Sequence, residues 1–167
     1  RYDGSWHIDF PALETRITER TKGIVVVNPN NPTGSFLKQE EADRLFDIAR
    51  QRALALIADE VFFDYPLEER NGRTQTFVDR DDALSFSLNG LSKAAGMPQM
   101  KLGWMVINGP RGERELAAER LGLILDTYLS VNTPVQCALP DLMPIGMEVQ
   151  KQILGRIRRN HDAIKER

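Results

Sequence analysis

Apolar residues fall along this chain in two periods, and the alternation between them predicts its layout. Ile24-Val25-Val26-Val27 is a continuous β-branched run, the pattern of a strand buried on both faces in a parallel sheet. Ala53-Leu54-Ala55-Leu56-Ile57-Ala58 is a second such run and ends at Asp59-Glu60. Leu84, Phe86 and Leu88 alternate with small polar residues, which predicts a third strand over Ser85 to Asn89. A fourth covers Leu102 to Asn108, closed by Asn108-Gly109-Pro110. Between the first two runs, Lys38 to Arg52 carries Ala42, Leu45, Phe46 and Ala49 on one helical stripe. Asp9 and Pro11 predict a short earlier helix that ends at Lys22-Gly23.

The turns and the C-terminal third follow the same logic. Asn28-Pro29-Asn30-Asn31-Pro32-Thr33-Gly34 is a dense turn signal, and Asn71-Gly72 marks a turn in a polar, exposed loop from Glu68 to Asp82. After Pro110 the pattern is helical throughout. One helix is predicted from Glu113 into Leu125, a second opens at Pro134, and Val149, Ile153, Ile157 and Ile164 stripe a third. Arg156, Arg158 and Arg159 then read as its solvated face. Strands alternating with helices imply an α/β fold with a mostly parallel sheet of about four strands.

Composition narrows the class. The 167 residues suffice for one domain with a real core, and 41% hydrophobic with 28% charged residues suits a globular protein. A net charge of −2 provides no field for nucleic acid or anionic membrane. Cys137 is the single cysteine, which fits a reducing, cytoplasmic setting. No apolar run approaches the ~20 residues of a membrane span, the first nine residues do not resemble a signal peptide, and no metal site is expected. The chain does not open on methionine, so its ends are expected to have been set by something other than translation start and stop.

The chemistry gathers after the strands. Lys93 stands just past the third strand, beyond Gly90. Such a lysine either faces solvent or turns inward, where burial disfavours its charge and makes it a nucleophile toward an aldehyde. Asn31 follows the first strand and Asp59 ends the second, so one groove outside the carboxyl ends of parallel strands can collect an amide, a carboxylate and an amine. Asn31 can equally serve its turn and Asp59 can cap a helix. The three together suit pyridoxal phosphate, with Lys93 on the aldehyde, Asp59 on the pyridine nitrogen and Asn31 on the phenolic oxygen.

In this order, Asn28-Pro29-Asn30-Asn31-Pro32-Thr33-Gly34, Ala58-Asp59-Glu60-Val61 and Leu91-Ser92-Lys93 resemble the class I/II aminotransferases of the aspartate aminotransferase superfamily. Leu102-Gly103-Trp104 and Thr133-Pro134-Val135-Gln136 resemble later segments of the same family. The resemblance implies pyridoxal 5'-phosphate as cofactor, an amino acid and a 2-oxo acid as substrates, and a homodimer. It implies Lys93 as the Schiff-base lysine and proton shuttle, Asp59 on the pyridinium, and Asn31 on the phenolic oxygen. It further implies residues 1–125 as the second half of a three-layer large domain, its last strand antiparallel. Residues 126–167 would be the helical start of a small domain. A lyase of the same fold, or the aminotransferase-like ligand-sensing part of a transcription regulator, remains an alternative.

Three positions depart from the family. Lys101 stands where an arginine usually binds the cofactor phosphate, Phe62 where a tyrosine is common, and Gly90 where a serine is common. Lysine keeps the charge but loses the guanidinium fork. The family's phosphate loop, ring-stacking aromatic and carboxylate-gripping arginine are not recognisable in this stretch, so the chain is expected to be the middle of a longer enzyme and inactive alone.

Overall fold

The computed structural model describes residues 1–68 and 72–166. Asn71, half of the expected Asn71-Gly72 turn, lies outside the described residues. Four strands form one sheet in the order β1 (Gly23–Val27), β2 (Ala55–Asp59), β3 (Ser85–Gly90) and β4 (Gly103–Asn108). β1, β2 and β3 run parallel, and β4 returns antiparallel beside β3. The register sets Val26 beside Ala58 and Ala58 beside Ser87, so these share one face. Val27, Asp59 and Leu88 share the other.

The first face carries the core. α1 (Phe10–Arg16) and α2 (Gln39–Arg52) pack over it. The predicted stripe of α2 is the buried one: Ala42, Leu45 and Phe46 are 0% exposed and Ala49 is 1% exposed, against Leu56 and Ala58. Each Leu or Phe so buried contributes roughly 1.5–3 kcal/mol. Glu41 fixes the start of α2, its Oε2 accepting the Lys38 N–H at 2.9 Å and its Oε1 the Ile8 N–H at 2.7 Å. α1 stops at Arg16 rather than at Lys22, because Ile17 is already extended and Thr21 Oγ1 accepts the Thr18 N–H.

Three further departures from the sequence pattern have packing causes. Val25 is 66% exposed, so β1 is not buried on both faces: the helices of the first half lie on the Ile24 side alone. The 68–82 loop is not simply exposed. It contains a 3-10 turn at Phe77–Asp79, and Phe77 is fully buried with its ring edge-on to Phe46 at 4.9 Å. Lastly, the two helices expected beyond Pro134 are one. α5 (Thr133–Lys165) continues through Pro140 and Pro144 for 33 residues. Each proline removes one helical hydrogen bond, but the packing of α5 on the second core cluster continues past both, with Leu139, Leu142 and Met143 on either side of Pro140 and Gly146 against Ala95 beyond Pro144.

That cluster is centred on α3 (Leu91–Ala94), with Leu91, Ala95 and Leu102 buried. A Cβ on Gly146 of α5 would lie 2.3 Å from Ala95 Cβ, so the glycine is what allows the two helices to touch there. The remaining helix, α4 (Arg111–Leu125), buries none of its residues and leaves Leu123 69% exposed.

Candidate active site

Because β1, β2 and β3 are parallel, their carboxyl ends open on one edge, and the three predicted residues end or closely follow those strands. Asp59 is the last residue of β2, paired between Val27 and Leu88. Its carbonyl accepts the Asn28 N–H at 2.9 Å and its Oδ1 accepts the Val61 N–H at 3.2 Å. The Asp59 backbone is therefore held by the sheet while the carboxylate stays at the sheet end. Asp59 caps no helix, since a turn and not a helix follows it.

Lys93 sits on the one-turn α3 immediately beyond β3, where the Leu91 N–H donates to the Leu102 carbonyl at 3.0 Å. Its side chain is exposed in this chain, with Nζ 5.4 Å from the centroid of the Phe62 ring. The Tyr65 hydroxyl donates to the Lys93 carbonyl at 2.6 Å and so ties the turn after β2 to the lysine's own backbone. Burial, helped by the Asp64 carboxylate, pushes the Tyr65 phenol above its ordinary value, which keeps it a donor. A cavity of about 180 Å³ lies beside Lys93, walled by Phe62 and Tyr65 and by Ile153 and Ile157 of α5. This is below the roughly 300–1,000 Å³ of a complete ligand site, so the chain builds part of one.

Asn31 is exposed on the turn after β1. That turn is held by Asn30, whose Nδ2 donates to Thr33 Oγ1 at 2.8 Å and whose carbonyl accepts the Gly34 N–H at 2.7 Å. Gly34 has φ 69°, a left-handed conformation that favours glycine. Lys101 is exposed and directly precedes Leu102, whose carbonyl binds the start of α3, so it stands at the same end of the sheet as Lys93. Asp59, Lys93 and Lys101 take part in no ion pair among the described residues.

The Gly90 departure has a packing account. Its backbone is extended, but a Cβ there would stand 3.0 Å from the Leu102 oxygen and 3.1 Å from Gly103 Cα. Glycine permits the close β3–β4 approach that a serine would force apart.

Sequence reasoning missed the residues that hold the site together. Asn28 is fully buried, and its Oδ1 accepts the Leu37 N–H at 3.1 Å, closing the turn that carries Asn31. The Arg73 guanidinium lies over the Phe36 ring at 4.0 Å and over the Phe63 ring at 4.5 Å, joining the turns after β1 and β2. Arg158 is not merely a solvated charge. Its Nε and Nη2 donate to the Pro66 carbonyl at 3.3 and 2.9 Å, so α5 grips the turn beside Tyr65. Only the periodic apolar pattern of α5 gave a signal for that contact, and no spacing pointed to Arg73.

A mixed sheet whose three parallel strands end at one edge, covered by helices, gives the α/β fold class, and comparison with known proteins gives the family. Residues 1–144 match the family model for aminotransferase class I and II. The alanine aminotransferase of Mycobacterium tuberculosis is 35% identical over 159 residues, which cover 94% of this chain and 37% of that protein. The glutamate-pyruvate aminotransferase AlaA of Escherichia coli is 36% identical over 134 residues, 80% of this chain and 33% of that protein. Among solved structures, the alanine aminotransferase from Pyrococcus furiosus superimposes with a TM-score of 0.74 at 30% identity, over 93% of this chain and 39% of that one. The chain belongs to the aminotransferase class I and II family, and it spans between 33% and 39% of the length of these relatives.

Proposed function

We propose that this chain is the cofactor-holding middle of a longer pyridoxal-phosphate enzyme that moves an amino group between an amino acid and a 2-oxo acid. The observation that supports the reading is that Asp59 ends β2 while Asn31 and Lys93 lie just past β1 and β3, the three parallel strands that end at one edge, with the Lys93 amine over the Phe62 ring. The residues suit the cofactor: an anionic carboxylate for a protonated ring nitrogen, an amine for an aldehyde, an amide donor for a phenolic oxygen and a lysine charge for phosphate. When bound, the cofactor supplies an electron sink for charge developing at the substrate α-carbon.

The chain's own residues do the rest. Asp59, anchored through its carbonyl to Asn28, would hold the proton on the ring nitrogen. Lys93 would hold the cofactor through its aldehyde and, once the substrate amine takes its place there, its freed amine would move a proton at the substrate α-carbon. Asn31 would donate to the phenolic oxygen and so orient the ring. Phe62 walls the lysine but has no hydroxyl to donate. The relatives' names, alanine aminotransferase and glutamate-pyruvate aminotransferase, favour transamination over elimination or a sensing role, with alanine or glutamate as donor and pyruvate among the acceptors. Residues 1–125 then belong to the large domain and 126–167 begin the small one. We place the enzyme in the cytoplasm as a homodimer, and the exposed apolar residues of α4 support a second copy as partner.

The direct test is amino transfer from alanine and from glutamate to 2-oxo acids by the full-length enzyme with cofactor present. Transfer is expected, and stoichiometric release of ammonia in its place would overturn transamination. Lys101→Ala is expected to weaken cofactor binding by about 1.5–3 kcal/mol, the scale of a charged hydrogen bond. Because Lys101 has φ 51°, a strain lysine and alanine share, the substitution isolates the charge. Equal cofactor affinity of variant and wild type in an equilibrium titration would remove Lys101 from the phosphate site.

A further inference from the structure

Glu60 is 3% exposed and yet carries an acid. Both of its oxygens are engaged: Oε2 accepts the Thr76 hydroxyl at 2.5 Å and Oε1 accepts the Phe77 N–H at 2.9 Å. Thr76 Oγ1 also accepts the Val78 N–H, and Phe77 is rooted in the core against Phe46. The Glu60 backbone reaches the other way. Its N–H donates to the Leu88 carbonyl at 3.0 Å, and its carbonyl accepts Asn89 Nδ2 at 3.3 Å. Asn89 Oδ1 in turn accepts the N–H of Gly90, the residue from which the Lys93 helix departs. One residue thus joins the end of β2, a loop fastened to the core, and the turn that bears Lys93.

We propose that Glu60 is a positioning residue, which clamps the end of β2 and so fixes the Asp59 carboxylate relative to the Lys93 turn. The inference rests on the reading of Asp59 and Lys93 as cofactor-binding residues, and goes beyond it by assigning a role to a side chain bonded to the Thr76–Phe77 loop. The cost of the clamp supports it. Burial raises the Glu60 carboxyl above its ordinary range, the Thr76 and Phe77 hydrogen bonds pull it back, and the Asp64 and Asp79 charges add to the rise. Residue 60 lies just past the end of β2 and is buried, so an apolar side chain would fill the same place with no such cost. It would leave the Phe77 N–H without an acceptor and the loop without its tie. Glutamine reproduces both bonds, with Oε1 accepting from Phe77 and Nε2 donating to Thr76. Alanine makes neither.

The experiment measures pyridoxal-phosphate dissociation and the pH midpoint of the bound cofactor's visible band in the full-length enzyme. Wild type, Glu60→Gln, Glu60→Ala and the core variant Ile48→Ala, on α2, are compared. Glu60→Ala is expected to weaken cofactor binding about ten-fold or more and to displace the midpoint, as loss of a buried acceptor does. Glu60→Gln should stay within about three-fold of wild type with its midpoint in place. Ile48→Ala should lower thermal stability and leave both cofactor readouts unchanged. Unaltered binding and midpoint in folded Glu60→Ala, or equal changes in Ile48→Ala, would overturn the positioning role. If Glu60→Ala does not fold, Thr76→Val removes one clamp bond, and a wild-type midpoint and affinity there would overturn it too. Failure of the underlying reading looks different: the wild type itself would then bind no cofactor at Lys93, and the inference would fall with it.

Discussion

Lys93→Arg in the full-length enzyme is expected to lower amino transfer by about 10²–10⁴-fold, the range lost with a general acid-base group. Arginine keeps a cation over the Phe62 ring, where Lys93 Nζ now lies 5.4 Å from the centroid. Its guanidinium holds its proton at every accessible pH, however, so it neither attaches to an aldehyde nor takes a proton from carbon. Positioning charge is thereby separated from chemistry. The backbone tie is untouched, since Tyr65 binds the residue-93 carbonyl and not its side chain. Steady-state rates and thermal melting of the same preparation check the result. A folded variant with more than a tenth of wild-type activity would show that the lysine is not the reacting group.

Asp59→Asn is expected to cost about 10²–10³-fold in the same assay, the scale of one removed electrostatic group at a reacting centre. The substitution keeps size and shape. Asn28 binds the residue-59 carbonyl, so the β1–β2 pairing persists, and an amide oxygen still accepts the Val61 N–H. What disappears is the negative charge that, on the proposed function, would keep the ring nitrogen protonated. The loss should fall on kcat more than on KM, because the charge matters most as electrons move into the ring. A loss confined to KM would mean that Asp59 contributes uniform binding instead.

The parts of this molecule legible in the sequence are those governed by local periodicity. β1, β2 and β3 are found where β-branched or alternating runs predict them, and the α2 stripe is the buried stripe. Parallel strands carry their final residues to one edge, so Asn31, Asp59 and Lys93 can be associated before any contact is known. The parts not legible depend on what packs from a distance. Prolines at 140 and 144 argue locally for a break, yet α5 is continuous because it packs on the α3 cluster on both sides of them, through Leu139, Leu142 and Met143 and then through Gly146 against Ala95. Polar residues around Phe77 argue for a surface loop, yet the Glu60 clamp and the Phe46 ring draw it inward. Val25 has the side chain of a buried strand but lies on a face that the chain's first-half helices leave open. An acid directly after Asp59 at the end of an apolar run was the available hint of Glu60, and no periodic argument could assign its partners.

The lysine assignment is tested most directly by borohydride reduction of the full-length enzyme in the presence of pyridoxal phosphate, followed by peptide mapping. The cofactor mass is expected on the peptide containing Leu91-Ser92-Lys93, with Lys93 as the modified residue and no equivalent label in Lys93→Arg. Label on a different lysine, with Lys93 unmodified, would contradict the account.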